Sequence, residues 1–72
     1  MKLNKLEKEV LTILENSNTP VGLATMVEKS NITKYDRRMG RCVLSLIDKH
    51  KIRLSKQSHH LSAGIMYELI NN

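Results

Sequence analysis

Apolar residues recur at helical spacing near the start of the chain. Four of them follow one another at intervals of four, three and one residues: Leu6, Val10, Ile13 and Leu14. This spacing places them on one face of an α-helix. Asn4 and Glu7 have the residue types and spacing of an N-terminal capping box, in which each side chain accepts a hydrogen bond from the other residue's backbone N–H. We therefore predict helix 1 over about residues 4–16.

A second, shorter helix is predicted over about residues 22–30. The turn-forming residues and the proline of N-S-N-T-P end helix 1, and Val21 is expected to form a short β-bridge. The apolar face of helix 2 is predicted to hold Leu23, Ala24 and Val27, with Met26 at its edge. After this helix, Ile32 is predicted to be a buried plug.

The third helix is predicted from Lys34 to about His50, with Thr33 and Asp36 as a permissive capping box at its start. At 100° per residue, four apolar residues fall together on one side: Met39, Val43, Leu46 and Ile47. The opposite side is predicted to form an outer ridge of Lys34, Arg38, Arg41 and Ser45, with Arg37 beside them. Gly40 costs about 1 kcal/mol relative to alanine inside a helix, which predicts a close approach by helix 1 or helix 2 there.

After His50 the period of the pattern changes from that of a helix to that of a strand. Residues 51–56, and in part 65–70, alternate polar and apolar, and a polar loop ending in Gly64 separates them. This pattern predicts a β-hairpin over about residues 51–70. We therefore expect a single α+β domain over residues 1–72, a winged helix-turn-helix in which three helices are followed by a two-stranded β-hairpin wing.

Composition narrows the classes of partner. The 72 residues carry 12 Lys and Arg against 7 Asp and Glu, for a net charge of +5, which favours an anionic partner. The single cysteine, Cys42, excludes an internal disulfide, and together with three histidines it makes no recognised zinc spacing. We predict no metal and no cofactor. A free thiol fits a reducing cytoplasm, and no apolar run approaches a membrane span, so no membrane partner is expected.

The chain resembles the bacterial and phage winged-helix transcriptional regulators over essentially its whole length. The resemblance is carried by the basic helix and by three segments: P-V-G-L-A-T-M-V-E-K-S-N-I-T (20–33), L-S-L-I-D-K-H-K-I (44–52) and I-M-Y-E-L-I (65–70). Among small members it is most similar to the PapI/FaeA-type fimbrial regulators, in which Thr-x-Tyr opens the recognition helix as Thr33 and Tyr35 do here. It departs from them in a longer recognition helix and at Lys51, where many relatives carry glycine.

This resemblance implies a small transcriptional regulator that binds double-stranded DNA in a sequence-specific way. It places the recognition helix, about residues 34–50, in the major groove and the wing on the backbone or minor groove. The residues that it implies as DNA contacts are Lys34, Tyr35, Arg37, Arg38 and Arg41 in the helix, and Lys56, Ser58, His59 and His60 in the wing. The expected location is the cytoplasm, at a bacterial nucleoid or in an infected cell. A homodimer and contacts with other transcription proteins stay open.

The residues themselves support an anionic ligand. Residues 33–41 contain four cations and one acid, and guanidinium groups can bind guanine O6 and N7 or phosphate in a bidentate manner. Two alternatives stay open at this point. Tyr35 is either a core residue or a DNA contact, and His59 and His60 are either exposed loop residues or contacts to the phosphate backbone or minor groove.

An enzyme is not expected, and no catalytic residue is predicted. The chain has no glycine-rich phosphate loop, no nucleophile elbow, no metal cluster and no pair of carboxylates in an apolar setting. The competing hypothesis is a winged-helix interaction module or adaptor that binds protein and does not read DNA, because a fold does not imply one function. Such a module would show an exposed apolar patch or a face of mixed charge.

Overall fold

The computed structural model describes residues 2–55 and 65–70. Within these residues the chain is a small α+β domain of three helices and a three-stranded antiparallel sheet. The elements in chain order are α1 (Lys5–Glu15), β1 (Val21–Gly22), α2 (Leu23–Lys29), α3 (Asp36–Asp48), β2 (Ile52–Leu54) and β3 (Met66–Leu69). The predicted wing contacts Lys56, Ser58, His59 and His60 lie outside the described residues.

The start of α1 confirms the predicted capping box. The backbone N–H of Glu7 donates to Asn4 Oδ1 at 2.8 Å, and the backbone N–H of Asn4 donates to Glu7 Oε1 at 2.9 Å. Two of the N–H groups that a helix start leaves without helical partners are satisfied in this way. The helix continues to Glu15, and its predicted apolar face is buried.

The sheet differs from the predicted two-stranded hairpin because β1 joins it as a third strand. The strand order is β1-β3-β2, with β3 in the centre. Val21 pairs with Tyr67 on one side of β3, and Leu54 pairs with the same residue on the other. One edge of β3 would be unpaired in a two-stranded hairpin. Here β1 pairs with that edge, and Val21 of β1 is buried.

The core lies between the three helices and the sheet. Its buried apolar residues are Leu6, Val10, Ile13, Leu14, Val21, Met26, Met39, Cys42, Val43, Leu46 and Ile52. The predicted stripes of α1 and α3 are thus confirmed, with Ile47 only partly buried. Two predictions around α2 were wrong: Met26 is fully buried while Ala24 is exposed, and Ile32 is 40% exposed rather than a buried plug.

The start of α3 is later than predicted, at Asp36 instead of Lys34. The predicted capping box of Thr33 does not form, because the N-cap is Tyr35, whose backbone is extended and which makes no side-chain cap. The Thr33 hydroxyl oxygen instead accepts the backbone N–H of Tyr35 at 3.2 Å. Thr33 is therefore part of the turn that precedes α3.

α3 ends in a Schellman motif, although the residue at its left-handed position is not a glycine. The helix ends at Asp48, two residues before the predicted end. The backbone N–H of His50 donates to the carbonyl of Ile47 and that of Lys51 to the carbonyl of Leu46, both at 3.0 Å. His50 has φ 60°, in the left-handed region.

Candidate nucleic-acid interface

The turn between α2 and α3 is held by the hydroxyl of Ser30, which is fully buried. This hydroxyl accepts the backbone N–H groups of Ile32 and Thr33, each at 3.1 Å, and donates to a carboxylate oxygen of Glu9. The other Glu9 oxygen accepts the backbone N–H of Asn31 at 2.8 Å. Glu9 of α1 therefore ties the turn to the first helix, and the start of α3 is set relative to both α1 and α2.

Lys34 lies in this turn and bonds the end of α2. Its Nζ donates to the backbone carbonyls of Val27, Glu28 and Ser30 at 3.2, 2.9 and 2.6 Å. The carbonyls at a helix C-terminus carry partial negative charge and lack helical partners, so an ammonium group stabilises them. A lysine has three N–H donors, and all three are used here. A DNA contact by Lys34 stays a prediction. In this structure its ammonium is hydrogen-bonded to the end of α2.

Four other predicted contact residues share one open groove on the outer side of α3. Tyr35, Arg37, Arg38 and Arg41 line this groove, which measures about 500 Å³, and none of the described residues adds an acidic side chain to it. We call these four residues the α3 cluster. All four are exposed, and Tyr35 is 75% exposed. The hypothesis that Tyr35 is a core residue is therefore wrong, while its role as a DNA contact stays a prediction.

A second groove, the α1–α3 groove, lies on the side of α3 that faces the start of α1. It measures about 470 Å³ and is lined by Asn4, Lys5, Leu6, Ile32, Arg38, Arg41, Cys42 and Ser45. Arg38 and Arg41 thus line both grooves, and Lys5 adds a third cation from a distant part of the chain. Sequence reasoning missed Lys5, because only the packing of α1 against α3 brings it beside these arginines.

Ser45 is turned towards α1 rather than standing on the predicted outer ridge. Its hydroxyl donates to Glu7 Oε2 at 2.8 Å. Glu7 is buried, and Lys49 Nζ donates to its two carboxylate oxygens at 2.7 and 3.0 Å. The hydrogen bond from Lys49 and that from the Asn4 backbone hold the pKa of Glu7 below its ordinary value of 4.5, although burial acts in the opposite direction.

The other groups examined for reactivity are the Cys42 thiol and the possible metal ligands. Burial raises the pKa of the Cys42 thiol to about 11, with a smaller contribution from the charge of Glu7, so the thiol is protonated near neutral pH. Within residues 2–55 and 65–70, no three His, Cys, Asp or Glu side chains come together as a metal site. The α1–α3 groove and the α3 cluster therefore offer cationic hydrogen-bond donors and some apolar surface, which suit binding of an anion.

The chain was also compared with known proteins and inspected for membrane-spanning helices. In the part of the chain that the structure describes, no helix has the length and apolar character needed to cross a bilayer. No protein-family model, curated protein or solved structure matches the chain.

Proposed function

We propose that this chain is a sequence-specific double-stranded DNA-binding protein of the winged-helix type that acts as a small transcriptional regulator. The observation that carries the proposal is the α3 cluster, in which three exposed arginines and an exposed tyrosine line one groove. In the part of the chain that the structure describes, no acidic side chain lines this groove with them. Guanidinium groups match the acceptors of guanine and of phosphate, and an exposed tyrosine supplies both a ring and a hydroxyl donor.

The support of α3 fits insertion into a major groove. An α-helix with its side chains is about 10–12 Å across, close to the major-groove width of about 12 Å. Recognition helices present their N-terminal residues to base edges, and the α3 cluster occupies the N-cap and the first turns of α3. The turn before it is bonded to both other helices through Ser30, Glu9 and Lys34. Such preorganisation lowers the cost of ordering contact residues on binding.

In this proposal, β2 and β3 are the wing strands, and the predicted contacts Lys56, Ser58, His59 and His60 lie between them in the sequence, outside the described residues. Wing contacts to phosphate add affinity with little sequence information, whereas Arg37 and Arg38, in the first turn of α3, contact base edges. The two groups of residues should therefore respond differently when the DNA sequence is changed.

The test is a comparison of two duplexes: a site enriched by the wild-type chain from a random library, and a scrambled version of it. Arg38→Ala should weaken binding to the enriched site by roughly 1–3 kcal/mol and binding to the scrambled duplex by less. Lys29→Ala removes an exposed cation of α2 that lines neither groove and is the matched control. Equal losses on both duplexes for Arg38→Ala would mean that the arginine only grips phosphate, and the regulator assignment would lose its main support.

A protein-interaction module is the second candidate, because four exposed aliphatic side chains lie outside the α3 cluster. Leu44, Leu54, Ile65 and Ile32 are 66%, 55%, 60% and 40% exposed. A module of this kind would yield no enriched duplex, and its affinity for DNA would match its affinity for polyglutamate. DNA binding through phosphate contacts instead gives a slope of log K against log salt of about −0.9 for each contact.

A further inference from the structure

The α1–α3 groove combines three cations with an apolar floor. Lys5 comes from the first turn of α1, and Arg38 and Arg41 from α3, while Leu6, Ile32 and Cys42 contribute apolar surface. Among residues 2–55 and 65–70, no aspartate or glutamate lines it. A groove with this lining suits a ligand that carries negative charge beside small apolar groups, as the phosphates and deoxyriboses of a DNA strand do.

The absence of acids follows from where the glutamates of α1 are directed. Glu7 is buried against Ser45 and Lys49, and Glu9 accepts hydrogen bonds from the α2–α3 turn. Both acids of this part of α1 are therefore bonded to groups of the domain, and neither of them lines the groove beside Lys5. For the Lys5 side chain, the described residues give neither an ion pair nor a hydrogen bond, so its ammonium is available to a ligand.

The position of the groove selects the occupant. Since the major groove is about as wide as a helix with its side chains, the two DNA backbones run along the flanks of any helix that enters it. The α1–α3 groove is one flank of α3, and it shares Arg38 and Arg41 with the α3 cluster. A DNA strand beside α3 and a separate acidic protein in this groove would compete for the same two arginines.

We infer that the α1–α3 groove binds the sugar–phosphate backbone of the duplex read by α3, with Lys5 of α1 as a phosphate contact. The inference rests on the proposed function and adds to it a contact from outside the recognition helix and the wing. Arg41 binds phosphate from the opposite wall of the groove, and deoxyribose groups pack against the exposed part of Ile32. Because it contacts phosphate, Lys5 contributes affinity for every sequence and does not discriminate among them.

The experiment compares Lys5→Gln with Lys8→Gln in salt titrations of fluorescence anisotropy on labelled enriched and scrambled duplexes. Lys8 is an exposed lysine of the same helix that does not line the groove, which makes it a matched control. Lys5→Gln should make the slope of log K against log salt shallower by about 0.9 on both duplexes. Between about 50 and 200 mM salt, the wild type should then lose about 3.5-fold more affinity than Lys5→Gln does. Lys8→Gln should keep the wild-type slope.

The outcomes separate this inference from the proposed function. If the wild type binds duplex DNA with a steep slope but Lys5→Gln behaves like Lys8→Gln, the backbone contact is refuted while DNA binding stands. If Lys5→Gln weakens binding of polyglutamate but not of duplex DNA, the groove belongs to an acidic protein and the inference is overturned. If the wild type binds no duplex, both proposals fail. Circular dichroism at each salt concentration shows that the variants stay folded, as expected for an exposed residue at the helix start.

Discussion

The ion pair between Glu7 and Lys49 gives the sharpest test of how this domain is held together. The proposed perturbation is Lys49→Met, which keeps a long apolar side chain but removes the ammonium. Lys49 Nζ lies 2.7 Å from Glu7 Oε2, and the two side chains are 18% and 2% exposed, respectively. The substitution leaves a buried carboxylate with only the donors of Asn4 and Ser45.

The magnitude follows from that remaining environment. Removing one partner of a buried ion pair costs about 3–5 kcal/mol, since the other charge stays buried without compensation. The cost here should lie around or somewhat below the lower end of that range, because two neutral donors still bond the carboxylate and Lys49 is partly exposed. We therefore expect the free energy of unfolding to fall by about 2–4 kcal/mol near neutral pH. A domain of this size has a total stability of only several kcal/mol, so much of the variant should be unfolded at 37 °C.

The pH dependence gives an independent check with a defined sign. The pKa of Glu7 is lowered in the folded state, so its ionic contacts contribute stability that is present above the ordinary value of 4.5 and is lost as pH falls through the folded value. Lys49→Met removes the main cause of this lowering. The deficit of the variant relative to wild type should therefore be largest near neutral pH and should shrink on acidification below 4.5.

The assay is urea unfolding followed by circular dichroism, near neutral pH and near pH 3, on four chains: wild type, Lys49→Met, Glu7→Gln and the double variant. The double variant should lose less free energy of unfolding than the sum of the losses of the two single variants, because it removes both charges of the pair. Lys8→Met, which removes an exposed lysine from α1, is the control and should change stability by less than about 0.5 kcal/mol. A cost for Lys49→Met as small as that of the control, and equal at both pH values, would refute the reasoning.

Three further predictions concern single positions. His50→Gly should raise the free energy of unfolding by about 1 kcal/mol, because φ 60° is unfavourable for a residue with a side chain; urea unfolding measures it, and His50→Val should have the opposite effect. Gly40→Ala should stabilise α3 by up to about 1 kcal/mol, since an added Cβ would lie 4.0 Å from Leu23 Cδ2, an ordinary contact; a lower thermal midpoint would contradict it. Lys34→Met should cost roughly 1 kcal/mol by releasing three carbonyls, whereas unchanged stability would mean that these bonds contribute nothing in solution.

Features that depend on neighbouring residues could be derived from the sequence. The capping box of Asn4 and Glu7, the apolar stripes of α1 and α3, and the change of period at β2 all arise from groups a few residues apart. The order of helices and strands follows from these local signals. The same holds for the arginines of the α3 cluster, since Arg37, Arg38 and Arg41 are close in sequence and their shared exposure follows from helical periodicity.

Three local features of the sequence did not predict the backbone or the packing around them. Thr33 has the residue type of a helix cap, yet its hydroxyl bonds the turn, and α3 begins three residues later. Gly40 suggested a close approach, yet Leu23 leaves space for a side chain. The end of α3 carries no glycine, yet the Schellman bonds hold His50 in the left-handed region.

Tertiary structure alone decided the contacts between distant residues. Glu7 meets Lys49 across 42 positions of sequence and Ser45 across 38, and Glu9 meets Ser30 across 21. From the sequence alone, a charged residue on a helix is predicted to be exposed, whether it faces water or a partner on another element. No local pattern therefore distinguishes these glutamates from solvated ones. The same packing brings Lys5 beside Arg38 and Arg41. The sequence by itself determined which helix carries the cations of the α3 cluster. The packing of α1 against α3 decided which acids are turned away from them and which further cation joins them, because charge at a surface depends on the meeting of elements that are far apart along the chain.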